Sequence, residues 1–303
     1  MSQRLCEGRV AIVTGAGRGI GREYALMLAA NGAKLVVNDL GGARDGSPGK
    51  DEVHPAQAVV DEIRASGGEA VANQESCSDW QSAKRMVQQA VDTFGRLDAV
   101  VNNAGILRDR MLVNMTEQEW DAVINVHLKG TFAPTHHAAA YWRDRQKAGD
   151  TDIAGRIVNT TSVSGIFGNI GQSNYGAAKA GIASLTIIAA RELKRYGVTV
   201  NAISPHALTR MTEELRERSE EQKAESNPRW IAPIVTWLVS RESSQVTGRI
   251  IDAGGGYFGV MEGWKPGPTS KPVEDPREAG RILAELDAKA RRNMGMNGME
   301  AEI

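Results

Sequence analysis

Short apolar runs rich in β-branched residues alternate with longer stretches of helical periodicity along most of this chain. The alternation is typical of repeated strand–helix–strand units, in which parallel strands form a sheet covered by helices. Strands buried on both faces are brief and uniformly apolar, as these runs are. The predicted strands are 9–13, 34–38, 69–73, 97–101, 155–161, 198–203 and 249–252. The sequence therefore predicts an α/β fold built on a parallel sheet.

Four stretches stand out between the strands. In 79–94 and 229–240, apolar residues recur at three- and four-residue spacing, which predicts helices that face a sheet. The stretch 41–54 is rich in Gly, Asp, Lys and Pro and is interpreted as a surface excursion. The charged stretch 209–227 is interpreted either as a mobile lid over substrate or as an ordinary solvated helix.

No second core is visible after residue 256, and no internal repeat is present. We predict a single domain over 1–260, which would hold the whole catalytic apparatus. We predict that 261–303 forms a C-terminal tail with one helix, from about 276 to 292.

The charge balance and the cysteine content exclude several classes of protein. The 303 residues include 36 basic and 37 acidic side chains, a formal net charge of −1, so no global field attracts nucleic acid or an anionic membrane. Cys6 and Cys77 lie far apart without a Cys/His cluster, which argues against a disulfide framework and a zinc site. The N-terminus shows no apolar run of signal-peptide or membrane-spanning length. We expect a cytoplasmic protein that binds no metal.

A glycine-rich turn, TGAGRGIG, follows the first predicted strand and opens a helix. In this context Gly15 permits a tight turn, Gly19 lets the backbone approach a pyrophosphate, and Gly21 lets the helix pack closely on the sheet. The start of the helix also offers N–H groups and partial positive charge to phosphates. Such a turn alone is also found as a purely structural element. We predict a dinucleotide site formed by Gly15, Arg18, Gly19, Ile20 and Gly21.

Asp39 ends the second predicted strand, 24 positions after Gly15. A carboxylate at that place accepts both ribose hydroxyls of NAD and repels the 2′-phosphate of NADP. Arg18 is contrary evidence, because a guanidinium in the turn pairs well with that phosphate. Asp39 carries more weight, since an ionised acid beside the ribose disfavours the phosphate directly. The predicted cofactor is NAD.

The motif NNAG closes the fourth predicted strand. Small residues and amides at that position can line the adenosine and the nicotinamide ribose, although a plain strand-ending turn would look the same. We assign Asn103, Ala104 and Gly105 to the cofactor site, together with Ser76 and Cys77, which follow the third predicted strand.

Tyr175 and Lys179 lie four positions apart at the start of a helical stretch, so they share one face. An ammonium group near a phenol favours the phenolate and lowers the phenol's pKa from about 10 toward neutrality. Such a phenol can exchange a proton with a substrate hydroxyl or carbonyl. Ser162 ends the fifth predicted strand and can hydrogen-bond the same oxygen. A Tyr-x3-Lys pair alone is usually a surface feature, but the combination with the turn and Asp39 predicts a hydride-transfer site.

Residues from about Gly8 to Gly256 resemble the short-chain dehydrogenase/reductase family. The motifs that carry the resemblance are TGAGRGIG (14–21), the strand-end Asp39, NNAG (102–105), Ser162 and YGAAK (175–179). The resemblance implies a Rossmann-type, doubly wound, seven-stranded parallel sheet in the order 3-2-1-4-5-6-7, with helices on both faces and no metal. It implies that Tyr175 is the acid/base, that Lys179 binds the nicotinamide ribose, and that Ser162 orients the substrate oxygen. Because the family commonly forms tetramers, we expect a homo-oligomer, either a tetramer or a dimer.

Two positions depart from the family pattern. His127 replaces the family's catalytic asparagine, and because imidazole can donate, accept and anchor a water, we assign it to the catalytic group. A buried structural histidine is the alternative. His206 stands where the family has the glycine of a Pro-Gly pair, and the stretch to Thr209 is one residue shorter than usual. The resemblance implies that this segment, with His206 and Thr209, contacts the nicotinamide carboxamide.

With these departures the chain resembles one subgroup of the family, the (3R)-hydroxyacyl-CoA dehydrogenase domain of peroxisomal multifunctional β-oxidation enzymes. The similar stretches are VVNDLGG (36–42), NNAGILRDR (102–110), VHLKG (126–130), GNxGQxNY (168–175) and RMTE (210–213). Arg108 and Arg110 either meet acyl-carrier phosphates or are ordinary exposed arginines.

The resemblance implies NAD-linked interconversion of a 3-hydroxyacyl-CoA, including bulky or steroid-derived ones, and its 3-oxoacyl-CoA. The partner is then a small acyl-CoA thioester, with no nucleic acid and no membrane. The alternatives are a hydroxysteroid dehydrogenase and a 3-oxoacyl-carrier-protein reductase. A non-catalytic, nucleotide-binding regulatory protein on the same fold is an alternative of a different class.

Overall fold

A computed structural model describes residues 4–47, 49, 53–207, 219, 224–254, 256–296 and 299–300. Its centre is one sheet with the strand order β3-β2-β1-β4-β5-β6-β7-β8. The strands are β1 Val10–Thr14, β2 Lys34–Asn38, β3 Ala70–Asn73, β4 Ala99–Asn102, β5 Arg156–Thr160, β6 Thr199–His206, β7 Ile250–Gly254 and β8 Tyr257–Met261. The Rossmann-type order 3-2-1-4-5-6-7 is confirmed, and all pairs up to β7 are parallel.

Among the described residues the sheet has eight strands rather than the predicted seven. β8 runs antiparallel to β7, with Gly254 paired to Tyr257 across a two-residue connection. Its side chains are largely exposed, so the sequence lacks the buried apolar run that marked the other strands. The glycines before it suggest the end of the domain, whereas Gly254 and Gly256 adopt positive φ values of 125° and 89° and turn the hairpin.

Helices cover both faces of the sheet. Their bounds are α1 Gly19–Ala30, α2 Pro55–Ala65, α3 Trp80–Phe94, α4 Glu117–Ile124, α5 Gly130–Lys147, α6 Val163–Phe167, α7 Ser173–Leu193, α8 Ala232–Val239 and α9 Pro276–Lys289. Helices α1, α2 and α8 pack on one face around Leu28, Ile63 and Leu238. Helices α3, α5 and α7 pack on the other around Met86, Trp142 and Leu193. The apolar strands between these two layers are buried on both sides, which explains their uniform composition.

The chain divides into two compact units, Met1–Met261 and Glu262–Ile303. The first contains the sheet and helices α1 to α8. The second contains α9, which is capped by the Asp275 side chain and has no buried residue. Among the residues described, no helix is both long and apolar enough to cross a membrane. The stretch 209–227, predicted as a lid or a solvated helix, lies almost entirely outside the described residues.

Candidate active site

The parallel strands β1 to β7 end at one edge of the sheet, and the glycine-rich turn sits there between β1 and α1. Gly15 has a φ of +62°, in the left-handed region that favours glycine. A Cβ on Gly15 would lie 2.7 Å from the Cα of Ala104, and one on Gly21 would lie 2.2 Å from the carbonyl oxygen of Gly15. Gly15 therefore permits the turn, and Gly21 lets α1 approach it.

The N-terminus of α1 opens onto a cavity of about 600 Å³. Arg18 is the N-cap residue, and its own side chain makes no capping hydrogen bond, so the first turn can present N–H groups to an anion. The predicted cofactor residues that line this cavity are Gly15, Arg18, Gly19, Ile20, Asp39, Ser76, Cys77, Asn103, Ala104 and Gly105. The fold thus gathers residues from the ends of β1, β2, β3 and β4 around one space.

Asp39 follows β2 and is held by backbone. One carboxylate oxygen accepts the N–H of Gly17 at 2.9 Å, and the other accepts the N–H of Gly41 at 2.8 Å. A Cβ on Gly17 would lie 2.8 Å from that carboxylate. The motif assigns roles to Gly15, Gly19 and Gly21 but none to Gly17, the fourth glycine of the turn. Its contribution is to place a backbone donor beside Asp39 within the cavity wall.

The amide of Asn103 is engaged with the glycine-rich turn. Its Nδ2 donates to the carbonyl oxygens of Thr14 at 3.1 Å and Gly15 at 3.0 Å. The hydroxyl of Thr14 accepts the backbone N–H groups of Asn103 and Ala104 at 3.0 and 3.2 Å. Asn103 therefore joins β4 to the turn after β1, a positioning role that its motif did not reveal.

Ser76 and Cys77 lie in the connection between β3 and α3. Cys77 is buried, and burial raises the pKa of its thiol to about 12, so it is neutral and unreactive at neutral pH. The Ser76 hydroxyl is hydrogen-bonded to that of Ser78 at 3.0 Å. Both residues form cavity wall without bringing charge into it.

His127 lies in a π-helical turn, Asn125–Lys129, between α4 and α5. Its Nε2 is 2.7 Å from the carbonyl oxygen and 3.1 Å from the backbone nitrogen of Ile106, so this residue's backbone holds the imidazole in either tautomer. Burial, with the nearby Lys179 charge, lowers the pKa of His127 to about 3, which makes it neutral at physiological pH. Its Nδ1 is buried and has no hydrogen-bond partner among the described residues.

Tyr175 lies beside His127 near the start of α7. The two rings meet edge to face with centroids 5.1 Å apart. Removal from water raises the pKa of Tyr175 to about 12, and the nearby Ser162 side chain only partly opposes this. The expected lowering of the Tyr175 pKa toward neutrality is therefore absent in this geometry, because desolvation is its largest influence and the nearby Asp109 charge raises it further.

Lys179 is buried one helical turn after Tyr175. Its Nζ donates to the carbonyl oxygen of Thr160 at 2.6 Å and lies 5.5 Å from the centroid of the Tyr175 ring. Burial lowers the pKa of Lys179 to about 7, so small changes in its surroundings decide whether it carries charge. Thr161 donates to the Lys179 carbonyl at 2.8 Å and ties α7 to the end of β5. Ser162, Tyr175 and Lys179 therefore form one cluster.

His206, another predicted cofactor residue, lies at the end of β6. His206 Nε2 is 2.8 Å from Asp252 on β7, and the Tyr257 hydroxyl donates to the same carboxylate at 2.5 Å. Burial tends to raise the pKa of Asp252, but the bonds from His206 and Tyr257 hold it below its usual range. His206 is not among the described residues that line the cavity, and Thr209 lies outside the described residues. Tyr257 lies on β8, which the sequence does not predict, and Asp252 lies in the predicted strand 249–252 but had no partner there to give it a role.

The two arginines after β4 have different surroundings. Arg110 forms an ion pair with Glu119 at 2.9 Å, whereas Arg108 lines the cavity and donates through Nε to the carbonyl oxygen of Asp45 at 2.9 Å. Among the described residues, no group of three or more His, Cys, Asp or Glu side chains is arranged to hold a metal ion.

The cavity and the Ser162–Tyr175–Lys179 cluster are adjacent spaces joined through His127. A Cβ on Gly105, in the cavity wall, would lie 2.4 Å from His127, which also contacts Tyr175. Ser162, Tyr175 and Lys179 are not among the described residues that line the cavity, so His127 provides a contact between the cavity wall and the phenol. The arrangement suits proton exchange with a group placed at the end of a long, phosphate-containing ligand.

Comparisons with known proteins agree with this geometry. A family model described as short chain dehydrogenase matches residues 9–221. Hydroxyacyl-CoA dehydrogenase ChsB1 of Mycobacterium tuberculosis is 46% identical over 248 residues, covering 80% of this chain and 76% of that protein. Peroxisomal multifunctional enzyme type 2 of Drosophila melanogaster is 46% identical over 251 residues, 83% of this chain but only 40% of the longer enzyme.

A solved structure gives the same result. The crystal structure of a short chain dehydrogenase from Mycobacterium avium has a TM-score of 0.87 and 51% sequence identity, and it covers 98% of this chain and 100% of its own. The similarity to hydroxyacyl-CoA dehydrogenases and multifunctional enzymes inferred from the motifs is confirmed. The chain belongs to the short-chain dehydrogenase family and is an oxidoreductase.

Proposed function

We propose that this protein uses NAD(H) to interconvert a 3-hydroxyacyl-CoA thioester and its 3-oxoacyl-CoA. The observation that carries the choice of NAD is Asp39, whose carboxylate lines the cavity and is fixed by two backbone N–H groups. A fixed negative charge there favours ribose hydroxyls over a 2′-phosphate.

The residues present fit a dinucleotide. The cradle at Gly15, Gly17 and Gly21 has no room for a Cβ, and the uncapped N-terminus of α1 suits a pyrophosphate. We assign the pyrophosphate to the Gly15–Gly21 turn, the adenosine ribose to Asp39, and the adjoining wall to Ser76, Cys77, Asn103, Ala104 and Gly105. When bound, the nicotinamide supplies the acceptor or donor of the hydride. His206 and Thr209 are proposed to meet its carboxamide end.

The proton is handled by the buried cluster. With a pKa of about 12, Tyr175 is a neutral phenol near pH 7 and can give its proton to a ketone oxygen during reduction. In the oxidation direction the same phenol must first be ionised, and a protonated Lys179 nearby stabilises that anion. Ser162 is proposed to hydrogen-bond the substrate oxygen, and His127 to keep the Tyr175 ring in place.

The substrate class is proposed from the relatives. ChsB1 is named a hydroxyacyl-CoA dehydrogenase, and the chain aligns with part of a peroxisomal multifunctional enzyme. Bulky or steroid-derived acyl groups belong to the same proposal.

The purified protein tests this directly. Initial rates are measured with NAD and with NADP against both enantiomers of 3-hydroxyacyl-CoAs of short, long and steroid side-chain type, and against free hydroxysteroids. We expect rates with the thioesters and NAD. Rates with free steroids alone would favour a hydroxysteroid dehydrogenase, and rates only with NADPH and an acyl-carrier-protein thioester would favour a reductase. NADH binding without turnover of any substrate would favour a regulatory protein.

We also propose a cytoplasmic homo-oligomer. Cys6 and Cys77 are both buried and unpaired, which is compatible with a reducing compartment. Light scattering of the purified protein should give the mass of a dimer or tetramer, and fractionation of native cells should place the protein in the cytoplasm. A monomeric mass would contradict the proposed assembly without affecting the proposed reaction.

A further inference from the structure

The segment Leu40–Ser47, here called the strap, leaves the end of β2 directly after Asp39. It is ordered by its own turn: the Ala43 N–H donates to the Ser47 carbonyl at 2.7 Å, and the Gly46 N–H donates to the Ala43 carbonyl at 3.0 Å. The Asp45 carboxylate accepts both the N–H and the hydroxyl of Ser47 at 2.9 and 2.7 Å. The strap therefore has a defined shape of its own.

The strap is tied to the segment that follows β4. The Leu107 N–H donates to the Arg44 carbonyl at 3.0 Å, and Arg108 Nε donates to the Asp45 carbonyl at 2.9 Å. A Cβ on Gly46 would lie 3.4 Å from Ile106, so the two segments also touch through apolar atoms. Two polar bonds and one apolar contact thus join the end of β2 to the end of β4.

This connection bridges the glycine-rich turn. β2 and β4 are the two neighbours of β1 in the sheet, so a link between their ends spans about 10 Å across the exit of β1. Leu40, Ala43, Arg44 and Gly46 of the strap line the cavity, as does Arg108. A ligand in the cavity is therefore enclosed by the strap as well as by the glycine-rich turn.

We infer that the strap and Arg108 form a clasp that retains the dinucleotide and slows its release. The inference rests on the proposed cofactor site. Arg108 acts as a positioning residue through the strap rather than as a contact for acyl-carrier phosphates. The strap contacts Ile106, whose backbone holds His127, and His127 contacts Tyr175, so the clasp is also linked to the catalytic cluster.

The test compares Arg108→Ala with Arg110→Ala. Both residues follow β4, but Arg110 pairs with Glu119 on α4 rather than with the strap. Stopped-flow fluorescence measures the NADH dissociation rate after displacement by excess NAD, and hydrogen exchange follows the strap with and without NADH. Arg108→Lys is a second variant, because it keeps the cation but removes the Nε–H donor.

We expect Arg108→Ala to raise the NADH dissociation rate about tenfold, as loss of a charge-assisted hydrogen bond predicts, and to abolish NADH-dependent protection of the strap. Arg108→Lys should lie between it and the wild type, and Arg110→Ala should stay within about twofold of wild type because one exposed ion pair contributes little.

An unchanged NADH dissociation rate in a folded Arg108→Ala variant would overturn the inference that Arg108 and the strap slow NADH release. A raised KM for acyl-CoA with unchanged NADH release would overturn it as well, and would assign Arg108 to the substrate. If the wild type itself bound no NADH, the proposed function would fail first, and that outcome is distinguishable from both.

Discussion

The dinucleotide cavity and the Tyr175 cluster lie side by side but are formed by different kinds of chemical group. The cavity is shaped by backbone: glycines without room for a Cβ, a helix N-terminus, and a carboxylate fixed by two N–H groups. The cluster is made of buried, ionisable side chains whose pKa values are shifted by loss of water. Backbone shape and the fixed charge of Asp39 determine what the first region binds, whereas the protonation states of buried side chains determine what the second can do.

The two regions should therefore fail in different ways when they are altered. Damage to the cavity should weaken binding of the cofactor, and damage to the cluster should reduce turnover or change its dependence on pH. Because His127 contacts both regions, a change there would affect both cofactor binding and turnover.

The largest effect is expected from Tyr175→Phe. Loss of the phenolic proton should lower kcat about a thousandfold, a typical contribution of general acid–base catalysis, while NADH affinity changes little. The measurement is steady-state turnover together with a fluorescence titration of NADH. Tyr196→Phe, near the end of the same helical segment, is the matched control. Retention of most activity by Tyr175→Phe would remove the phenol from the mechanism.

The next effect tests the cavity. Gly21→Ala places a Cβ 2.2 Å from the Gly15 carbonyl oxygen, so α1 must move away from the turn. We expect NADH to bind about a hundredfold more weakly, the equivalent of an overpacking cost near the upper end of its usual range. Gly280→Ala in α9 is the control, since a Cβ there meets no atom within 4 Å. Equal NADH affinity in both variants would contradict the claim that close packing of Gly21 against Gly15 is needed to bind NADH.

The contrast between the regions also explains what the sequence could predict. The sequence predicts strands such as β1, β2, β4, β5 and β7 because each is largely buried between the two helical layers and therefore mostly apolar. β8 was missed because its exposed edge needs no such pattern, and its connection to β7 was hidden among glycines. Because β8 is not predicted, the hydrogen bond from Tyr257 on β8 to Asp252 on β7 is not predicted either.

Within the site, the spacing of the motifs located the residues but did not reveal the contacts that they make. The glycine spacing located the turn, but the bond from Gly17 to Asp39 depends on a contact between the ends of β1 and β2 that no local pattern contains. Asn103 lines the cavity, as its motif predicts, but its bonds to the carbonyl oxygens of Thr14 and Gly15 could not be predicted from the motif. The pKa of Tyr175 was misjudged, because one neighbouring charge can be inferred from sequence but desolvation cannot.

Asp39→Asn sharpens the cavity side of the comparison with an intermediate effect. The amide oxygen can still accept one backbone N–H group, so the change removes charge with little change of shape. We expect the preference for NAD over NADP, measured as the ratio of kcat/KM values, to fall about tenfold because repulsion of the 2′-phosphate is lost. Asp61→Asn on the exposed face of α2 is the control. Unchanged ratios would contradict the ribose assignment.

The smallest effect concerns Lys179 and the stability of the fold. Its pKa is about 7 in the folded protein, whereas a fully hydrated lysine has a pKa of 10.5. Between these values the unfolded chain binds a proton that the folded chain does not, so the free energy of unfolding rises with pH across this window. The slope due to this residue is at most about 1.4 kcal/mol per pH unit and vanishes well below the folded pKa, where both states are protonated.

Lys179→Met should therefore flatten the dependence of stability on pH by about 1 kcal/mol per unit between about pH 7.5 and pH 9.5. Urea unfolding at three pH values measures it, and the upper limit avoids the range in which Tyr175, with its pKa raised to about 12, contributes a slope of its own. Lys194→Met, at an exposed position just beyond α7, should leave the slope unchanged. Parallel pH profiles for wild type and Lys179→Met would mean that the buried amine keeps its proton, and that the cluster is charged before any cofactor arrives.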